Sequence, residues 1–315
     1  MHYDPSQTIA INGIVKQFQL RSPHTLLYLE VKQESDTTVW EVAVNSLPQM
    51  KRSGFQKDTF KAGDVVTVYG FPSRVPNKPQ MFGSRFITRD GTELVALPAS
   101  ARGEGSPAQS SAVGIEQLEG NWMSPRPGGG HARRPGSPLP LTRAAVVAWE
   151  SYDEKSSALY TCTPVPMPAL LYAPFYVTAI KIEDKEVVFY HEVFDVARTV
   201  PLNSEPRPAD EKGLYGLVNG RFEGNTLIVE SSGYPESEMG LAFASSEIGN
   251  GGDVPSSADK TLIERYSVSD DGTKLNIEYT VVDPVYLAAP YSNSLQYSRV
   301  PTETKIYSNR CEPTE

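Results

Sequence analysis

Four ionisable side chains, Glu192, Arg198, Glu264 and Asp283, stand in apolar, strand-forming stretches of this chain. The stretch from Glu186 to Leu202 reads EVVFYHEVFDVARTVPL. It is rich in Val, Phe, Tyr and Thr, the residues that favour strands. Alternation at period two puts Val188, Tyr190 and Glu192 on one face. Past a bend near Val193, it puts Phe194, Val196 and Arg198 on another. On the stretch Thr261 to Ser267, Leu262, Glu264 and Tyr266 share a face, and on Lys274 to Asp283 so do Leu275, Ile277, Tyr279, Val281 and Asp283. Charges among apolar neighbours are costly to bury unless they are paired or used.

Two kinds of chemistry fit this set. A carboxylate in an apolar pocket acquires a raised pKa and becomes a candidate general acid or base. That makes Glu192, Glu264 and Asp283, with Arg198, the candidate catalytic residues of a cofactor-free lyase, isomerase or hydratase. The phenols of Tyr190, Tyr266 and Tyr279 would donate to a developing oxyanion. The same side chains, with His191 and Trp122, would equally line a binding site for an apolar or aromatic small molecule. Against both stands a structural ion-pair network, Arg198 with Glu192 or Glu264, with Asp283 capping the turn before Pro284. A third reading is an interaction module with no pocket.

Other chemistries find less in the sequence. The histidines are His2, His24, His131 and His191, with no HExxH and no close pair. His2 and His24 together would suit copper only if His2 were a free N-terminus. No metal and no cofactor is therefore expected, and His24 reads as a turn residue after Pro23. No Gly-x-Ser-x-Gly elbow is present. The run Gly249-Asn250-Gly251-Gly252-Asp253 has no helix after it to cradle a phosphate.

The elements that must position these groups are strands. Thr8 to Phe18 alternates around a kink at Gly13; Thr25 to Lys32 and Thr38 to Val44 follow. A short helix from Ser46, stopped at Gly54, precedes strands at Val65 to Gly70 and Gly83 to Thr88. Three strands, a helix and two strands is the order of an OB-like small barrel. Ala99 to Val113 reads as a linker. Residues 1–98 are thus expected to form one domain and residues 114–315 a second. The second opens on Gly120-Asn121-Trp122, the Gly-x-Trp of lipocalin-type barrels, where the Trp closes the barrel base. Its strands are expected at Tyr176 to Glu183, Glu186 to Val193, Val196 to Leu202, Leu214 to Phe222, Thr226 to Ser231, Thr261 to Ser267, Lys274 to Val282 and Gln296 to Val300. Tight turns such as Glu223-Gly224-Asn225 make adjacent hairpins. The one longer helix is Thr142 to Tyr152, N-capped by Thr142. The segment Ser124 to Pro140, with His131, Arg133 and Arg134, has no periodicity and reads as a loop. The fold class is all-β: an OB-like small barrel followed by a lipocalin-like antiparallel β-barrel with one short helix.

Composition narrows the partners. The chain has 315 residues and a net charge of −9, with 26 Pro, 24 Gly and 16 Tyr. The acidic balance argues against nucleic acid despite the OB-like barrel, and there is no aromatic–basic stripe. No apolar run is long enough to span a bilayer. The two cysteines, Cys162 and Cys311, form no CxxC. They are either a disulfide closing a loop of about 150 residues, worth roughly 4–5 kcal/mol in the chain-entropy model, or two unrelated thiols.

Several motifs also resemble a family. TIAINGIVKQF, then Ser22-Pro23-His24, then KAGDVVTVYG (Lys61 to Gly70) are similar to a family of secreted bacterial proteins of unknown function. The second half looks like a recurrent partner of that domain, in YTCTPVPMP (Tyr160 to Pro168), FDVARTV (Phe194 to Val200), NGRFEGNTLIVESSG (Asn219 to Gly233), IERY (Ile263 to Tyr266) and VVDP (Val281 to Pro284). The resemblance implies a periplasmic or secreted protein, which suits a Cys162–Cys311 bridge, and implies no known activity. Val165 and Phe222 depart from the family's usual residues. So does Pro255-Ser256-Ser257, where relatives often carry a His-Ser pair, so no role resting on that His transfers here.

Overall fold

The computed structural model describes residues 3–32, 36–97, 108, 110–124, 139–153, 156–203, 213–243, 248–249 and 252–312. His2, most of the expected linker, the basic cluster His131, Arg133 and Arg134, and Asn250 and Gly251 lie outside them. The chain divides into two compact units, Met1–Arg102 with Lys305–Pro313, and Gly103–Thr304 with Thr314–Glu315.

The first unit holds β1 (Ile9–Gln19), β2 (Leu26–Lys32), β3 (Thr37–Ala43), α1 (Leu47–Arg52), β4 (Val65–Pro72), β5 (Gln80–Thr88) and β6 (Glu93–Val95). The sheet order is β3-β2-β1-β4-β5-β6, and a parallel pairing of β3 with β5 closes the first five strands into a barrel. With α1 between β3 and β4, the closed five-strand barrel has the element order read from the sequence. Its interior is apolar: Leu27, Leu29, Val42, Val66, Val68, Met81 and Phe86 all face inward. Gly13 does not kink β1. Alternation runs straight through it, and the register shift falls between Val15 and Gln17. The glycine is needed because a Cβ there would sit 2.8 Å from the Glu30 carbonyl oxygen of β2.

In the second unit a 3-10 turn (Gly114–Leu118) leads into β7 (Gly120–Met123). Two helices follow, α2 (Arg143–Glu150) and the single turn α3 (Ala158–Thr161). The Thr142 hydroxyl caps α2 by accepting from the Ala145 N–H at 3.3 Å. A 3-10 turn at Ala169–Tyr172 precedes β8 (Val177–Glu183), β9 (Glu186–His191) and β10 (Val196–Pro201). After these come β11 (Leu217–Glu223), β12 (Thr226–Ser232), β13 (Ser237–Ala242), β14 (Val254–Ser256), β15 (Thr261–Val268), β16 (Lys274–Val282) and β17 (Tyr291–Val300). The large sheet runs β10-β9-β8-β7-β17-β16-β15-β12-β11, antiparallel throughout. Neighbours in space are neighbours in the chain with two exceptions: the first strand, β7, pairs with the last, β17, and β12 pairs with β15 across the separate β13–β14 insertion. The short turns do this: Gly224, at φ +59°, lets two residues join β11 to β12.

Closure is incomplete at one seam. The edge strands β10 and β11 share no ladder; beside them Leu202 meets Gly220 in one parallel bridge, and the Asn203 N–H donates to the Gly220 carbonyl at 2.8 Å. The separate two-stranded hairpin of β13 and β14 is not legible in the residues alone, because both strands are short and neither alternates. The inner face of the large sheet packs Val187, Phe189, Val200, Leu227, Val229, Leu262, Leu275, Ile277 and Val281 into one core.

Candidate functional site

Arg198 and Glu264 meet inside that core, both with no solvent-exposed side-chain surface. In β10 the inward residues are Arg198 and Val200; in β15 they are Leu262, Glu264 and Tyr266. Arg198 Nη1 donates to Glu264 Oε1 at 3.0 Å and Nη2 to Oε2 at 2.5 Å, a bidentate pair. Nη2 also donates to the Ser231 hydroxyl of β12 at 3.1 Å, and the Tyr266 hydroxyl donates to Glu264 Oε1 at 2.5 Å. Burial opposes the Arg198 charge, but the adjacent Glu264 carboxylate outweighs it, so the guanidinium stays charged. Burial first, then the Glu264 charge, raise the Tyr266 phenol well above its usual range, so it stays a neutral donor.

Around this pair lie polar atoms with no hydrogen-bond partner among the described residues. They include Arg198 Nε, His191 Nε2 and the hydroxyls of Tyr215 and Tyr234. Tyr215 holds its ring centroid 5.7 Å from the Arg198 guanidinium carbon. Burial and then the Arg198 charge push the His191 imidazole down to about 3, so it is neutral. Its Nδ1 lies 3.1 Å from the Thr178 hydroxyl. The Phe189 ring stacks on His191 and stands 5.0 Å, centroid to centroid, from Tyr266. The Tyr234 ring is also in the core; its phenol is raised by burial and feels the charges of Arg198 and Glu264. The Lys260 ammonium sits 4.1 Å from the centroid of that ring.

Periodicity along the chain does not pick out Lys260, Tyr215 or Tyr234, whereas Ser231 shares the inward face of β12 with Leu227 and Val229. Lys260 lies in the turn before β15, where a lysine ordinarily reads as exposed. It is buried instead, and donates to the Met167 carbonyl at 2.8 Å, the Ser256 hydroxyl at 3.0 Å and the Gly240 carbonyl at 3.4 Å. Burial brings its pKa down to about 7, against the opposing pull of Asp283 and Glu264. Tyr215 and Tyr234 lie outside regular strands, where period-two counting has no purchase.

Five expected site residues are placed otherwise. Tyr190 is on the outer face of β9, opposite Ala197, and donates to Asp195 at 3.1 Å. The register pairs Phe189 with Arg198, so Val187, Phe189 and His191 point inward and Tyr190 cannot. Glu192 has left the strand with a helical backbone; its carboxylate accepts from the Val177 N–H at 3.1 Å and its own N–H donates to the Val177 carbonyl. Asp283 caps the turn after β16. It accepts from the N–H groups of Ser257, Val285 and Tyr286 and from the Ser257 hydroxyl. Tyr279 faces inward but binds the Tyr172 hydroxyl at 2.5 Å, which in turn accepts from Asn293. Trp122 is buried, its indole N–H donating to the Leu118 carbonyl at 2.9 Å and its ring covered by Arg299 at 4.0 Å. Its donor and one face are therefore already occupied.

A cleft of about 300 Å³ opens elsewhere in the unit, lined by Tyr152, Asp153, Ser157, Glu238, Asp253 and Tyr286 among others. None of the nine expected site residues lines it. His24 lies in the first unit, its Nδ1 3.0 Å from the Val44 carbonyl. Among the described residues no group of three or more His, Cys, Asp or Glu side chains is placed to hold a metal ion.

Fold and site together define an all-β protein of two units, with a closed five-strand barrel and a large antiparallel sheet around a buried ion pair. Residues 1–81 match the model of a family described as a family of unknown function (DUF6152). No curated protein matches the chain. Both cysteines are disulfide-bonded, and as the chain has two, Cys162 is joined to Cys311. Among the described residues no helix is long and apolar enough to cross a membrane.

Proposed function

We propose that the second unit binds an apolar or aromatic small molecule in the interior of its large sheet, beside Arg198. The observation that carries this is the set of buried polar atoms around one ion pair that have no partner among the described residues, Arg198 Nε, His191 Nε2 and the Tyr215 hydroxyl among them. A buried donor without a partner costs about 1–3 kcal/mol. Native interiors hold few of them, so several around one guanidinium call for a missing partner. The rings of Phe189, Tyr215 and Tyr266 supply the apolar contact. The seam between β10 and β11 is the route that disrupts least, because opening it breaks no ladder.

The acid–base alternative has less support. Each of its carboxylates is already engaged: Glu264 by Arg198 and Tyr266, Asp283 by four donors, and Glu192 by Val177. We further propose an exported protein, periplasmic or secreted, a reading supported by the disulfide, since such bonds persist in oxidising compartments.

Native mass spectrometry of the protein from its own host tests the binding reading. An added mass that is lost on denaturation, and is reduced in Tyr215→Phe, is the expected result. An unliganded protein, with ordered water on Arg198 Nε and His191 Nε2 in a high-resolution crystal structure, overturns it.

A further inference from the structure

Resting on that reading, we propose that the ligand is uncharged: a largely apolar, aromatic molecule carrying a carbonyl oxygen that accepts a hydrogen bond from Nε of Arg198. Charge balance comes first. The Arg198 guanidinium is matched by the bidentate Glu264 carboxylate. A second buried cation, Lys260, already spends its ammonium on the Met167 and Gly240 carbonyls and the Ser256 hydroxyl. A carboxylate ligand at Nε would therefore meet a guanidinium whose charge is already matched, with the Lys260 ammonium engaged elsewhere, and would remain an uncompensated buried anion, at a large cost in a low-dielectric interior. A cationic ligand fares no better, because both Glu264 oxygens already accept hydrogen bonds.

Hydrogen-bond sense then selects the ligand's polar atom. The Nε–H of arginine is a donor and never an acceptor. The Tyr215 hydroxyl can donate as well. A ketone-type carbonyl oxygen accepts from Nε without bringing a donor of its own into the core, and its second lone pair is open to a hydroxyl such as that of Tyr215. The surrounding rings of Phe189, Tyr266 and Tyr215 favour an aromatic body. A purely hydrocarbon ligand would leave Nε unpaired, and a site built to hydrogen-bond one group discriminates strongly against an analogue that lacks it.

Three probes of nearly equal size separate the possibilities on the full-length protein at pH 7: acetophenone, benzoate and ethylbenzene. Binding is read by NMR titration, following the amides of β10 and the Tyr215 ring, in wild type and in Tyr215→Phe and Phe189→Leu. The expected result is acetophenone binding at least about 10-fold more tightly than either other probe, with the preference over ethylbenzene reduced in Tyr215→Phe. Phe189→Leu should weaken acetophenone and ethylbenzene together. If benzoate binds more tightly than acetophenone at these residues, the uncharged-ligand inference is overturned while the interior binding site stands. Ethylbenzene binding as tightly as acetophenone overturns the carbonyl requirement in the same way. If none of the three shifts β10 or Tyr215, and a crystal soaked in acetophenone shows only water on Arg198 Nε, both the inference and the binding reading fall.

Discussion

Arg198 and Glu264 are 66 residues apart and on strands that are not neighbours in the sheet, yet they form two parallel hydrogen bonds with no exposed side-chain surface on either partner. Such a pair is not itself strong evidence of stability, since well-packed apolar residues often do as well. Removing one partner is a different matter. Arg198→Met should leave Glu264 buried and uncompensated and lower stability by about 3–5 kcal/mol. Glu264→Leu added to it should recover much of that loss. Urea melts of the two single variants and the double variant decide this; a double variant no more stable than Arg198→Met would show that the pair is not coupled.

His191 gives the second unit a pH dependence. Its folded pKa is depressed to about 3 by burial and the Arg198 charge. Below its unfolded value, about 6.5, the unfolded chain takes up a proton that the folded chain does not. Stability is therefore full above that value and falls as the pH drops towards 3. Between pH 6.5 and pH 5 the loss from this one group should be roughly 1.5 kcal/mol. Denaturant unfolding across that range, in wild type and in His191→Gln, checks it. The difference between the two proteins should shrink as pH falls; a constant difference would mean the imidazole protonates freely in the folded state.

The Cys162–Cys311 bridge predicts no free thiol in the denatured, unreduced protein made under oxidising conditions. Reduction should lower stability by about 4–5 kcal/mol if chain entropy governs the effect. Thiol titration and melts with and without reductant measure both. Two titratable thiols in oxidised protein would refute the bridge.

The seam between β10 and β11 should be the first part of the large sheet to open. Amides of β10 that face the seam should exchange at least about 10-fold faster than those of β15, which is paired on both sides by β12 and β16. Hydrogen exchange followed by NMR reads this strand by strand, and equal protection in β10 and β15 would argue against entry at the seam.

Much of the architecture could be read from the residues alone, because it rests on local and periodic signals. Three strands, a helix after Ser46 and two strands specify the order of the first barrel, while Thr142 starts α2 and Gly224 turns β11 into β12. The burial of Arg198, Glu264 and Tyr266 was legible too, since each shares a face with residues that must leave water. Tyr190 shows where this stops. Val188-Phe189-Tyr190-His191 is apolar enough on both faces that period two alone cannot choose between them. The pairing of Phe189 with Arg198 across β9 and β10 makes the choice, and that register exists only in the assembled sheet. Lys260, Tyr215 and Tyr234 belong to no periodic element, so only the closing of the sheet around Arg198 brings them to the ion pair. Sequence determined which strands form and which faces turn inward where polarity alternates; tertiary structure decided which inward side chains meet, because a contact across a sheet interior depends on register and curvature rather than on spacing along the chain.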